Sequence, residues 1–208
     1  MARILITSGP TRQYLDPVRY LTNASSGRMG AALASAAINE GHEVVIVSGP
    51  VSVEYPLRAK LINVVTTDEM LEAATETFAK CDGAIGAAAP CDYMPRFIQK
   101  QKIAKTGEPL QLELVETPDI VATLGQQKRR GQWVVGFALE TQDRRFRATV
   151  KLEKKLCDLI VSNGPQAIDS DQNDVELLDG AGNVIAAIHG NKEIVARKLL
   201  KKITKFIQ

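Results

Sequence analysis

The stretch Asp16-Pro17-Val18-Arg19-Tyr20-Leu21-Thr22-Asn23-Ala24-Ser25-Ser26-Gly27-Arg28-Met29-Gly30 holds the densest chemical signal in the chain. Ser25, Ser26 and Gly27 stand where a helical apolar pattern begins, after a short apolar run that reads as a buried strand. A helix start exposes unpaired N–H groups and the positive end of the helix dipole, which favours an anion such as phosphate. Ser-Gly also opens helices that bind nothing, and the residues alone support both readings equally. Arg19 and Asn23 lie four residues apart. Arginine offers a planar fork for carboxylate or phosphate, and asparagine can donate to a developing oxyanion. The plainer alternative pairs Arg19 with Asp16 and leaves Asn23 in a turn.

A second segment, Asp92-Tyr93-Met94-Pro95-Arg96-Phe97-Ile98-Gln99-Lys100-Gln101-Lys102-Ile103-Ala104-Lys105, concentrates lysines between Pro95 and Gly107 with little periodicity. A basic flap of this kind can close over a triphosphate and offset charge as it gathers on a leaving group. The alternative is a solvated charge run. Lys151 and Lys155 share one helical face, with Lys154 beside them, and meet either phosphates or water. Phe137 either stacks on a base or fills core. His42 and His189 are the only histidines, and neither has metal-like or triad-like neighbours. No metal ligand is assigned.

These residues need a scaffold that gathers them. Ile4–Ser8, Val44–Ser48, Leu61–Val65, Asp82–Ala89, Trp133–Ala138 and Leu159–Ser162 read as buried strands. Helices are predicted from Ser26 to Gly41, from the Thr66-x-x-Glu69 capping box through Phe78, from Asp119 to a stop at Gly125, over 143–156 and over 191–207. Residues 11–24 read as a long loop, and Leu110–Val115 as a more exposed strand. Val175–Leu178 and Val184–Ile188 flank Asp179-Gly180 as a terminal hairpin. Alternation of continuous apolar strands with helices predicts an α/β fold: a Rossmann-like, mostly parallel sheet with helices on both faces and a C-terminal β-hairpin. Ligands bind such sheets beyond the carboxyl ends of the strands, where both signal-bearing segments fall.

The bulk composition narrows the class. A chain of 208 residues is expected to form a single domain over 1–208 and to bury roughly 70% of its unfolded surface. With 26 basic and 24 acidic residues the net charge is +2, too balanced for a general nucleic-acid binder. No apolar run reaches the length of a bilayer span, and Met1-Ala2-Arg3 leads directly into a strand pattern, without a secretory signal. Cys81, Cys91 and Cys157 lack CxxC spacing, which argues against a zinc site and for reduced thiols in the cytoplasm. The GxGxxG dinucleotide fingerprint is not met: only Gly27 and Gly30 match its last two glycines, and Ser48 stands where an acidic ribose ligand would end the second strand. None of the four tyrosines has a lysine four residues on. An oxidoreductase is weakly supported, and a catalytically silent nucleotide-binding module is a third reading.

In combination and order, several motifs resemble those of the phosphopantothenoylcysteine synthetase family, the ligase half of a bacterial bifunctional coenzyme A biosynthesis protein. They are Ser8-Gly9-Pro10-Thr11-Arg12, Asp16-Pro17-Val18-Arg19-Tyr20, Asn23 to Gly30, Ala87-Ala88-Ala89 with Asp92-Tyr93, Lys102 to Lys105, Thr117 to Val121, Gly136-Phe137-Ala138 with Glu140-Thr141, and Asp158 to Val161 with Asn163. The resemblance implies ligation of 4′-phosphopantothenate to L-cysteine with CTP and Mg²⁺, through an acyl-cytidylate. It further implies a homodimer, with active sites near the subunit interface. By motif, Lys102 is the flap lysine of the first half-reaction, and Asn23, with Arg19 nearby, holds the acyl intermediate. Gly86, Ala87, Ala88, Asp92, Pro118, Asp119, Ile120, Val121, Phe137, Lys151 and Lys155 line the CTP site, and Ser25, Ser26 and Gly27 cradle phosphate. The chain departs from the family pattern at Pro90-Cys91, at Ala104, at Gly164 and in a short loop to Ser170-Asp171. The flavin-binding decarboxylase half is absent from these residues, which fits either a free-standing synthetase or an excised domain.

Overall fold

The computed structural model describes residues 1–164 and 172–207; the loop to Ser170-Asp171 lies outside them. In chain order the elements are β1 (Arg3–Ser8), β2 (Arg12–Tyr14), β3 (Tyr20–Thr22), α1 (Arg28–Asn39), β4 (Glu43–Ser48), β5 (Lys60–Asn63), α2 (Thr67–Phe78), β6 (Gly83–Gly86), β7 (Tyr93–Pro95), β8 (Leu114–Glu116), α3 (Ile120–Gln126), β9 (Trp133–Leu139), α4 (Arg144–Lys154), β10 (Leu159–Asn163), β11 (Gln172–Asp179), β12 (Val184–Asn191) and α5 (Lys192–Ile207).

Eight strands form the main sheet in the order β5-β4-β1-β6-β9-β10-β11-β12. The first six are parallel, and β11 and β12 extend the sheet antiparallel beyond β10. Strand side chains alternate between faces. Ile4 and Ile6 therefore enter a core beneath α1 and α5, while Leu5 enters a second core beneath α2, α3 and α4. Val135 and Val134 divide in the same way. This is the doubly wound arrangement that the apolar strands predict. The chain winds one way from β1 to β5 and the other way from β6 to β10, so crossovers separate at the carboxyl ends of β1 and β6.

Three local expectations are corrected. Residues 11–24 are not a plain loop: β2 and β3 pair antiparallel, Arg12 stacks its guanidinium 4.5 Å from the Tyr20 ring centroid, and Tyr14 meets Tyr20 edge-on at 5.4 Å. Strand β6 ends at Gly86, so Ala87–Ala89 leave the sheet, although Ala87 N–H still donates to the Thr7 carbonyl and Ala89 N–H to that of Gly9. Leu110–Leu112 belong to no strand; β8 starts at Leu114 and pairs with β7 in a separate ribbon. Among the described residues no helix is long and apolar enough to cross a membrane.

Gly125 carries a further correction. The sequence reading ends α3 there, yet the helix continues to Gln126. A Cβ at Gly125 would lie 2.0 Å from the Lys155 carbonyl oxygen. The glycine is there to let α3 approach the end of α4, not to stop a helix. Gly125→Ala should therefore destabilise the protein by about 1–3 kcal/mol through overpacking, although alanine is the better helix former. Urea unfolding measures this, and a variant as stable as the parent would show that the close approach is not what demands glycine.

Candidate active site

The β1–α1 turn is built by hydroxyls and glycines. Ser8 Oγ donates to the Gly27 carbonyl at 3.2 Å, and Tyr55 OH donates to Ser8 Oγ at 2.9 Å. Tyr55 OH also shares a hydrogen bond with Ser48 Oγ at 2.7 Å, while Ser48 donates to the Gly49 carbonyl. The hydroxyl that ends β4 is thus engaged with the turn, in the place where a dinucleotide site needs an acidic ribose ligand. Gly27 has φ 74°, a left-handed conformation, and Val51, Val53 and Tyr55 crowd the space its Cβ would take. Gly30 packs so close to Ser8 that a Cβ would sit 2.1 Å from its Oγ. No side chain caps the leading turn of α1, and that turn holds no acidic residue. Ser26 instead accepts from Arg28 Nε at 3.2 Å. The positive end of the helix thus carries neither a side-chain cap nor an acidic residue in its first turn.

The β2–β3 turn and the residue that follows β3 meet two other segments. Asn23 Nδ2 donates to the Pro90 carbonyl at 2.8 Å, which ties it to the loop after β6. Arg19 Nη1 donates to Asp16 Oδ2 at 2.7 Å and to the Ile103 carbonyl at 3.0 Å, which ties it to the lysine segment. The pairing of Arg19 with Asp16 that the sequence offered as the plain alternative is realised, and it coexists with the contact to residue 103. Lys102 is exposed beside a cavity of about 310 Å³ lined by Leu15, Pro95, Phe97, Ile103 and Leu110 among others. Lys102 itself lines that cavity, and none of the other residues expected to line the nucleotide site does.

The loop after β6 is fixed by a buried network. Cys91 N–H donates to Thr11 Oγ1 at 2.8 Å, Thr11 and Thr67 share a hydrogen bond at 2.8 Å, and Thr117 Oγ1 donates to the Cys91 carbonyl at 2.6 Å. Ala88 N–H points to Thr7 Oγ1 at 3.4 Å, and Thr117 N–H donates to the Asp92 carbonyl at 2.9 Å. The Asp92 side chain is left exposed. Burial raises the pKa of the Cys91 thiol, and raises that of Cys157 to about 11. Both thiols stay protonated near neutral pH, which disfavours either as a nucleophile.

The remaining expected residues gather across α3 and α4. Asp119 caps α3 by accepting the Ala122 N–H at 3.0 Å, and its other oxygen lies 3.0 Å from Lys155 Nζ. Lys151 Nζ lies 2.7 Å from Oε1 of the buried Glu140. Val121 inserts where glycines leave room: a Cβ on Gly86 would meet its Cγ2 at 2.5 Å, and one on Gly136 its Cγ1 at 3.7 Å. Gly86, the last residue of β6, and Gly136, midway along β9, are cross-strand partners. The Ile120 side chain is core, so any ligand contact there falls to its backbone, beside Pro118. Phe137 is half-buried and packs on the core beneath α1 and α5. Sequence reasoning missed Glu140 and Tyr55 as supports and named Asp16 only as a partner of Arg19. The Asp-Pro-x-Arg spelling, which favours an Asx turn, was the available signal for Asp16.

Comparisons with known proteins place the chain in a family and match its fold. Residues 1–207 match the family model described as DNA/pantothenate metabolism flavoprotein C-terminal domain. The coenzyme A biosynthesis bifunctional protein CoaBC of Vibrio vulnificus is 40% identical over 206 residues, covering 96% of this chain and 51% of the relative. The chain thus spans about half the length of the curated relatives it matches. A crystal structure of the C-terminal domain of CoaBC superposes with a TM-score of 0.82 at 38% identity, covering 99% of this chain and 96% of that one. The Cab2 mutant H337A in complex with phosphopantothenate-cysteine superposes with a TM-score of 0.79 at 16% identity, covering 99% and 87%, a likeness of fold alone. With a match from end to end and relatives at this identity, the chain belongs to the family of DNA/pantothenate metabolism flavoprotein C-terminal domains.

Proposed function

We propose that residues 1–208 act as one phosphopantothenate–cysteine ligase domain in coenzyme A biosynthesis, with CTP as co-substrate. The pantothenate carboxylate attacks the α-phosphorus of CTP, a new C–O–P linkage forms, and the bond to pyrophosphate breaks. The L-cysteine amine then attacks the acyl carbon of this acyl-cytidylate and loses a proton, and CMP leaves. The first step turns an oxide, a poor leaving group, into a nucleotide, a good one.

The observation that carries this reading is the convergence at one sheet edge. The 16–23 segment, which leads into the uncapped start of α1, is hydrogen-bonded both to the 87–92 loop and to the Lys102 segment. In the proposal Ser25, Ser26 and Gly27 take phosphate and Lys102 offsets charge on the departing pyrophosphate. Asn23 and Arg19 hold the acyl carbonyl, and Lys151 and Lys155 face the nucleotide from α4. Backbone groups at Gly86, Ala87 and Ala88, with Asp92, Pro118 to Val121 and Phe137, complete the nucleotide site. Among the described residues no three His, Cys, Asp or Glu side chains gather as a cation cage. Mg²⁺ is accordingly taken as part of the MgCTP substrate, held chiefly by phosphate oxygens and water. The three cysteines are free and buried, which fits a reducing cytoplasm. A homodimer is proposed through the face carrying the exposed Phe97, Ile98, Leu110 and Leu112. Neither a nucleic acid nor a membrane is part of the proposal.

The test is pyrophosphate release by the 208-residue protein with phosphopantothenate and either CTP or ATP, with and without L-cysteine. Release is expected with CTP before cysteine is added, and CMP plus a thiol product after. No release with either nucleotide would remove the ligase reading, and equal rates would remove the choice of base.

Lys102→Gln is expected to lower pyrophosphate release by about a hundredfold or more, since one charged donor to the reacting phosphates is lost. Asn23→Asp replaces the donor to Pro90 with an acceptor. It should lower amide formation about a hundredfold with the fold retained by circular dichroism. Parent-like turnover by both variants would contradict their assigned roles.

A further inference from the structure

Asp16 has no exposed side-chain surface, and its two carboxylate oxygens have separate partners. Oδ1 accepts the backbone N–H groups of Val18 and Arg19, each at 2.8 Å. Oδ2 accepts Arg19 Nη1 at 2.7 Å and the backbone N–H of Ile103 at 3.1 Å. One oxygen shapes the local turn, and the other reaches a segment 87 residues further along the chain. Nearby, Gln99 N–H donates to the Leu15 carbonyl at 2.9 Å, and Arg19 Nη1 donates to the Ile103 carbonyl. Lys102 lies between these two anchor points. The backbone is held on either side of it, at residues 99 and 103, and its side chain is exposed.

We propose that Asp16 is a positioning residue: its Oδ2 locks Arg19 and the Ile103 backbone into one register, so that Arg19 and Lys102 are presented to the same substrate. This deepens the ligase reading and rests on it for the roles of Arg19 and Lys102. Asp16 touches neither substrate nor reacting atoms in this scheme; it acts through the two residues it holds. Burial by itself would raise the Asp16 pKa. Hydrogen bonds from the Ile103, Val18 and Arg19 backbones and from the Arg19 guanidinium outweigh it and hold the value at about 2. The carboxylate is therefore ionised at any pH near neutrality, and the latch is a fixed clamp rather than a pH switch.

Asp16→Asn tests the clamp selectively. An asparagine that keeps its oxygen on Val18 and Arg19 must turn its NH₂ toward two other donors, so the local turn survives and the long-range contact is lost. Without any substrate, amide exchange at Ile103 is expected to accelerate about tenfold or more. With substrates, kcat for pyrophosphate release should fall about a hundredfold while KM for CTP changes little. On a Lys102→Gln background the same substitution should cost far less than it costs the parent, because one of the two groups it positions is already gone. Unchanged exchange at Ile103, or kinetic losses that simply add, would overturn the proposal. If Asp16→Asn does not fold, Ile103→Pro removes the same donor from the other side; proline has no amide there, so it is judged by the same kinetics and by exchange at Gln99, whose N–H donates to the Leu15 carbonyl. If the parent protein releases no pyrophosphate, the ligase reading falls, and Ile103 exchange alone decides whether the clamp exists.

Discussion

Crossover connections leave the sheet in opposite senses on either side of the β1–β6 pair, and no helix can cover the carboxyl ends of both strands. The backbone there still has to satisfy its polar groups. It does so with short-range devices: threonine hydroxyls at positions 7, 11, 67 and 117, the Ser8–Tyr55–Ser48 chain, and carbonyls accepting from Ala87 and Ala89. These bonds hold the walls of the cleft without filling it. The site therefore costs the fold little: it occupies a gap that the winding leaves in any case.

Charge is arranged with similar restraint. Lys155 and Lys151 sit one turn apart on α4 and each meets a carboxylate, Asp119 and Glu140 respectively. Burying a carboxylate such as Glu140 without a partner would be costly. Long lysine side chains are otherwise free to wander, and each pairing confines an ammonium group to the side of the sheet that carries α3 and α4. A polyanion of the kind proposed would meet charges already in place, with less conformational entropy left to lose. Arg19 is confined in the same way by Asp16.

The layered architecture was legible because its signals are periodic. Ile4-Leu5-Ile6 and Val134-Val135 are buried on both faces of a sheet, and continuous apolar runs say so directly. The capping box at Thr66 and Glu69 was legible because it is local: Glu69 N–H reaches Thr66 Oγ1 within one turn. The β2–β3 hairpin was not, since three-residue strands held by Arg12–Tyr20 stacking lack an alternating run long enough to register. Gly125 misled because a glycine near a helix end normally signals a stop, whereas here the Lys155 carbonyl, distant in sequence, dictates it. In the candidate site the residue types were readable from motifs. What joins them was not, because Asn23 to Pro90 and Asp16 to Ile103 are contacts between distant segments.

The three thiols have a consequence of their own. Cys81, Cys91 and Cys157 are each buried, and each thiol is pushed by burial toward its protonated form. Exchange with a small disulfide requires an accessible thiolate. A protein surrounded by cystine, glutathione or any other sulfur metabolite would then stay unmodified, its own sulfur insulated from the redox traffic around it.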